Sequence, residues 1–177
     1  VSQKANPYSD SQALAAMRLI APNLRRAFHE GSDKTAREAI MLGSTLAGIA
    51  FSNASVALVH GMSRPIGAAF HVPHGLSNAM LLPSVTAFSI PAAPGRYADC
   101  ARAMGIAREQ DSDDQANQKL LTELQAINAE LQFGIDREKF MALLPTMAAQ
   151  ALASGSPSNN PRIPSADEII AIYQQIY

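Results

Sequence analysis

The chain has 177 residues, 47% of them hydrophobic, enough apolar surface to build the core of one domain. Fourteen Lys and Arg against fifteen Asp and Glu give a formal charge of -1, which argues against a basic face for nucleic acid or anionic lipid, so neither is an expected partner. No apolar run approaches the roughly 18 residues of a membrane span, and a single cysteine, Cys100, excludes an internal disulfide and a cysteine-built zinc site, so a cytoplasmic location is expected.

Thirty-two alanines against five valines favour helix over strand, and the expected fold is all-α. Ser9 with Gln12 reads as a capping box opening a first helix over about 10–30, with Ala13, Met17, Ile20 and Leu24 on its apolar face and a bend at Pro22. Gly31 and Ser32 interrupt it. A second helix is predicted over about 34–59, with Ala39, Leu42, Leu46, Ile49 and then Ala57 or Leu58 facing inward. Its small residues Gly43, Ala47, Gly48, Ala50 and Ala54 suit the centre of a bundle. The stretch 60–83 sets Gly61, Pro65, Gly67, Pro73, Gly75 and Pro83 among apolar residues, where a plain bundle needs only a short turn. Further helices are predicted over about 76–88, over 96–104 with Gly105 as its stop, and over 114–131, where Asp111, Asp113 and Asp114 suit the positive end. Asp136 is the expected cap of a helix reaching about 153, kinked at Pro145. The stretch 154–164 reads as a loop, and Ser165 with Glu168 as a capping box for the last helix, to 177. Nothing divides the chain, which reads as one helical domain over 1–177. Because it opens with Val1, it is expected to be a processed piece or the C-terminal part of something longer.

Three of the four histidines, His60, His71 and His74, fall within fifteen residues of one another in the Gly- and Pro-rich stretch. His60 is expected to end the second helix and His74 to begin the next, with the turn between folding both imidazoles toward one point. Two neutral imidazoles from different elements can begin a zinc or ferrous site; the alternative is a pair of satisfied histidines near helix ends. The spacing matches neither a zinc finger nor a metalloprotease helix. His29, near a helix C-terminus, reads as a dipole partner. Met62, Phe70, Met80 and Leu81 fit either a pocket wall or plain core packing.

The run from Val59 to Ala79, VHGMSRPIGAAFHVPHGLSNA, resembles the signature segment of the iron-containing, or group III, alcohol dehydrogenases. The opening Lys4-Ala5-Asn6-Pro7-Tyr8-Ser9-Asp10 and the late Asn159-Asn160-Pro161-Arg162 resemble the corresponding stretches of that family. The resemblance implies the family's C-terminal helical domain, the dehydroquinate synthase-like α domain, without the N-terminal α/β domain that binds the nicotinamide dinucleotide. Consistently, the chain contains no G-x-G-x-x-G. It also implies a divalent metal, Fe2+ or alternatively Zn2+, held by one Asp and three His. His60 and His74 match the last two histidines, and the other two ligands are expected before Val1. NAD or NADP, an alcohol or aldehyde substrate, the chain's own N-terminal domain and a homo-oligomeric assembly are the implied partners.

The implied reaction interconverts alcohols and aldehydes or ketones by hydride transfer, with the isolated chain expected to be inactive. A helical binding or assembly module that keeps the fold without catalysis is the alternative. Arg64 departs from the resemblance, because many members carry a histidine four residues after the first ligand of this segment, and a guanidinium does not shuttle protons as imidazole does. Arg64 and His71 are therefore the candidate catalytic-site residues beside the metal pair. The expectation for Arg64 is either a bidentate hold on an anionic substrate or a pairing elsewhere, with an acidic residue or a cofactor phosphate. For His71 it is a place along the substrate channel or a packed polar position.

Overall fold

The computed structural model describes residues 1–131 and 137–176, and among them the chain is helical with no strand. Eight α-helices follow in order: α1 Pro7–His29, α2 Lys34–Ala54, α3 Leu58–Phe70, α4 His74–Ser89, α5 Pro94–Ala103, α6 Asp113–Leu131, α7 Arg137–Ala153 and α8 Ala166–Gln174. Short 3-10 turns occupy Ile90–Ala92 and Ser156–Asn159. They form two compact units, one of residues 1–3, 56–93 and 121–177, the other of residues 4–55 and 94–120, with α6 contributing to both. No single described helix is long and apolar enough to cross a membrane.

The first unit holds the histidine segment and the larger side chains. Leu58, Met62 and Ile66 recur every fourth residue along α3, the spacing of one helix face, and pack with Leu81, Val85, Phe140, Leu144, Met147, Ile169, Ile172 and Tyr173. Tyr173, fully buried, donates its hydroxyl to the Met62 carbonyl at 2.6 Å, so the one polar atom that α8 brings into this core is satisfied. Met62, Met80 and Leu81 are buried core residues, and Phe70 packs against the core with its ring 5.7 Å from Phe140. Of the two roles open to these four, core packing is the one observed.

The loop after α7 is fixed by side-chain amides. Asn160 donates to Ser89 Oγ at 2.8 Å and to the Arg162 carbonyl at 2.7 Å, while Asn159 donates to the Val56 carbonyl at 2.9 Å. Pro157 of the 3-10 turn lies against Gly61 of α3, where an added Cβ would stand 2.9 Å from Pro157 Cδ. Gly61 therefore permits a close approach that any side chain would obstruct. At the end of this loop Ser165 and Glu168 form the expected capping box of α8. Tyr177 and Asp136, the expected cap of α7, lie outside the described residues.

In the second unit α1 and α2 pair through small residues. Ala36, Gly43 and Ala50 are buried at seven-residue intervals on α2, and an added Cβ on Gly43 would stand 2.6 Å from Ile20 Cγ1 of α1. One inward position read for α2 needs correction: Leu42 is 53% exposed, beside Met41 at 70%, so α2 is not the apolar centre of a bundle. Close contact with α1 uses the small-residue face and leaves the bulky apolar side chains on the other.

Two helix boundaries also move. Asn6, not Ser9, caps α1: its side chain accepts from Ser9 N while Ser9 Oγ accepts from Asn6 N, with Pro7 at the first helical position, where a missing N–H costs nothing. Helix α2 ends at Ala54 because Ser55 takes φ 60°, and a separate helix starts at Leu58, so the predicted 34–59 helix is two elements. Gly105, at φ 74°, ends α5 as expected.

Candidate metal centre

Residues Leu58–Phe70 form helix α3, where the sequence pattern predicts only the end of the second helix and a Gly- and Pro-rich stretch, so His60 lies in the first turn of α3 rather than at the end of α2. Pro65 lies in the interior of α3, where its missing N–H leaves the Gly61 carbonyl without its helical i+4 partner, and Gly67 leaves space beside the Val72 carbonyl. The chain leaves α3 at His71, which adopts the left-handed conformation at φ 55° and ψ 30° and returns its N–H to the Gly67 carbonyl. Histidine is one of the few side chains enriched in that region of backbone space. Pro73 then opens α4, whose first helical residue is His74.

This short reversal brings the rings of His60 and His74 to 5.2 Å between centroids, tilted by 57°. Two imidazoles bound at about 2.1 Å to one tetrahedral ion have ring centres about 5 Å apart, so the spacing suits a shared divalent cation. Burial, then the neighbouring His74 and the Arg64 charge, push the His60 pKa below its ordinary value, which favours the neutral imidazole that a metal requires. One turn along α4, the Asn78 amide nitrogen lies 3.2 Å from His74 Nε2, while Asn78 Oδ1 is buried with no partner among the described residues. Nowhere among the described residues do three or more His, Cys, Asp or Glu side chains gather as a complete metal set. The spacing of the histidine pair is thus compatible with a divalent ion, and a complete set of ligands is not present among the described residues.

Arg64 follows His60 by one helical turn on the same stripe of α3, and it is exposed. Its Nη1 donates to Ser156 Oγ at 3.1 Å, across 92 residues of sequence. His71 is also exposed, at the C-cap of α3. His29 lies in the last turn of α1, edge-on to Phe28 at 5.2 Å. The partner residues Asn78 and Ser156 were not singled out in the sequence. Asn78 had a signal, being four residues after His74 on a predicted helix, whereas Ser156 had none, since only folding joins it to α3.

A family model described as "Fe-containing alcohol dehydrogenase family, C-terminal" matches residues 1–177. The chain belongs to this family. The 1,3-propanediol dehydrogenase of Klebsiella pneumoniae is 36% identical over 184 residues, which cover 100% of this chain and 46% of that protein. The long-chain-alcohol dehydrogenase 1 of Geobacillus thermodenitrificans is 44% identical over 131 residues, covering 74% of this chain and 33% of that one. Among solved structures, a 1,3-propanediol oxidoreductase matches with a TM-score of 0.92 at 37% identity, covering 99% of this chain and 47% of that chain. The chain therefore spans about half the length of the 1,3-propanediol dehydrogenase it matches.

Proposed function

We propose that the full-length protein carrying this chain is a metal-dependent alcohol dehydrogenase that uses NAD or NADP to interconvert an alcohol with its aldehyde or ketone, and that residues 1–177 serve as its metal-bearing helical domain. The observation that carries this reading is the pairing of His60 with His74 at 5.2 Å, from two helices, in a chain of the iron-containing family. In this reading both histidines are neutral ligands; an ion on His74 Nδ1 would need the proton on Nε2, so Asn78 would turn its amide to present Oδ1, in place of the nitrogen, to that ring atom. A divalent ion held there, Fe2+ or Zn2+, would supply Lewis-acid stabilisation of negative charge on the substrate oxygen. The remaining ligands and the nicotinamide dinucleotide are assigned to the rest of the protein, as is hydride exchange with the substrate carbon. His71 is proposed to stand beside the route by which substrate enters, since it is exposed three residues before His74. The assembly is proposed to be homo-oligomeric and cytoplasmic, in keeping with a chain that has one cysteine and no membrane-spanning helix among its described residues.

The test compares two preparations. Full-length protein loaded with Fe2+ or Zn2+ should oxidise a simple alcohol with NAD or NADP, and His60→Ala or His74→Ala should lose both bound metal and turnover. Residues 1–177 alone should bind metal more weakly than micromolar and turn over nothing. Tight one-to-one binding by the short chain, abolished in His60→Ala, would show a site completed within it. Metal-loaded full-length protein with no dinucleotide-dependent activity on any alcohol or aldehyde would instead favour a binding or assembly module.

A further inference from the structure

Several arginines of this chain are held by carboxylates. Arg26 meets Asp33 at 2.6 Å, Arg96 meets Asp10 at 2.8 Å, Arg102 meets Asp99 and Asp113 at 3.2 and 2.9 Å, and Arg162 meets Glu168 at 2.6 Å. Arg64 has no carboxylate within ion-pair distance among the described residues, as is also true of Arg18, Arg37 and Arg108, and it differs from those three in donating to another side chain, the neutral hydroxyl of Ser156. An arginine stays charged at any working pH and offers five donors in a planar fork, of which a single serine satisfies one. The charge is also placed and not merely free. Gly61 lets Pro157 pack directly on α3, and this contact sets Ser156, the preceding residue, where it receives Nη1. Along the α3 axis the backbone rises about 6 Å from His60 to Arg64, one turn on the same face of the helix.

We propose that Arg64, braced by Ser156 one helical turn from the His60–His74 pair, binds the carboxylate of an acidic substrate, so that the site prefers hydroxy acids and the matching oxo acids over neutral alcohols. This rests on the dehydrogenase reading above and names the substrate class of that same site. Ser156 is a positioning residue, acting through the guanidinium it holds.

The experiment uses metal-loaded full-length protein and matched pairs of three and four carbons, 3-hydroxypropanoate against 1,3-propanediol and 4-hydroxybutanoate against 1,4-butanediol. In Arg64→Gln the acid-to-diol ratio of kcat/KM should fall about tenfold or more, mainly through KM for the acid. Arg64→Lys, which keeps the charge and loses the fork, should fall in between. Ser156→Ala should move the ratio the same way by a smaller factor, which keeps the proposal open to refutation if Arg64→Gln does not fold. Calorimetric titration with 3-hydroxypropanoate should show the same loss of affinity without any turnover. An unchanged ratio in a folded Arg64 variant overturns the proposal, as does weakened NADH or NADPH binding with an unchanged ratio, which would assign the guanidinium to a dinucleotide phosphate. If no alcohol is oxidised but Arg64-dependent carboxylate binding survives in the titration, the dehydrogenase reading fails and the anion site stands.

Discussion

The two compact units use opposite means of packing. The unit bearing α3, α4, α7 and α8 fills its interior with large side chains, including Phe140, Tyr173, Leu58 and Met62, and fixes its loops with buried amides such as Asn160. The unit bearing α1, α2 and α5 buries mainly alanines and a glycine, among them Ala16, Ala36, Gly43, Ala98 and Ala101, while Phe28, Met41, Leu42 and Phe51 stay more than half exposed. A core of large side chains derives its stability from area and shape, and it holds backbones in one relative position. Helices joined by small residues depend instead on the closeness of their backbones, which a single added methyl can disturb. The His60–His74 pair, proposed as metal ligands, is built on the first kind of scaffold, which suits two side chains that come from separate helices and must keep a fixed spacing.

The sharpest way to break this comparison is Phe140→Ala, which should destabilise the protein by about 3–5 kcal/mol, because the site lies amid close-packed neighbours and leaves a cavity. Chemical denaturation would show it as a lower midpoint at unchanged slope. A loss below about 1 kcal/mol would mean that the large-residue core is not what holds this unit.

The counterpart in the small-residue unit is the reverse substitution. Gly43→Val should cost about 1–3 kcal/mol, since even its Cβ would stand 2.6 Å from Ile20 Cγ1. Gly48→Ala, five residues along the same helix with nothing within 4 Å of the added methyl, should instead stabilise by about 0.5–1 kcal/mol. Equal effects at the two glycines would refute the close-packed α1–α2 face.

Next in size is Tyr173→Phe, which removes the hydroxyl's hydrogen bond to the buried Met62 carbonyl while leaving that carbonyl its helical partner, at a cost of about 0.5–1.5 kcal/mol. Burial raises this phenol's pKa well above the usual range, so the hydroxyl remains a donor at any pH at which the protein is handled, and the cost should not vary between pH 6 and pH 9.

The smallest effect sharpens the surface end of the comparison. Asp33 caps α2 by accepting from Ala36 N at 2.9 Å, and this bond, with lesser help from Arg26, lowers its pKa below the usual carboxylate value. A carboxyl whose folded pKa is depressed stabilises the fold above its unfolded pKa and loses that contribution as pH falls through the folded value. The advantage of wild type over Asp33→Asn in melting temperature should therefore be present at pH 7 and shrink below about pH 4. A constant gap between those pH values would assign the effect to the cap's shape alone.

The all-α class, most helix spans, the α8 capping box and the two metal-ligand candidates were all legible in the sequence, because each rests on local chemistry: alanine content, short-range caps, and histidines flanking a proline and a glycine. The joined 34–59 helix and the inward placement of Leu42 were misread for one reason. Apolar periodicity reports that a face is apolar, not which residues on it a neighbouring helix will cover, and the α1–α2 contact selects Ala36, Gly43 and Ala50 by size. The left-handed turn at Ser55 was equally invisible, since nothing local to a serine demands φ 60°. The site divides the same way. His60 and His74 are fourteen residues apart, close enough for sequence to nominate both, yet their 5.2 Å spacing is set by how α3 and α4 pack around Leu58, Met62 and Leu81. The contact between Arg64 and Ser156 joins residues 92 apart and was decided wholly by tertiary structure, through a glycine on α3 that lets the loop's Pro157 come close. Sequence by itself determined which side chains and which helices this protein has to work with. Which of them meet was decided by close packing over long sequence separations, because van der Waals contact depends on the shapes of both partners and neither is written near the other in the chain.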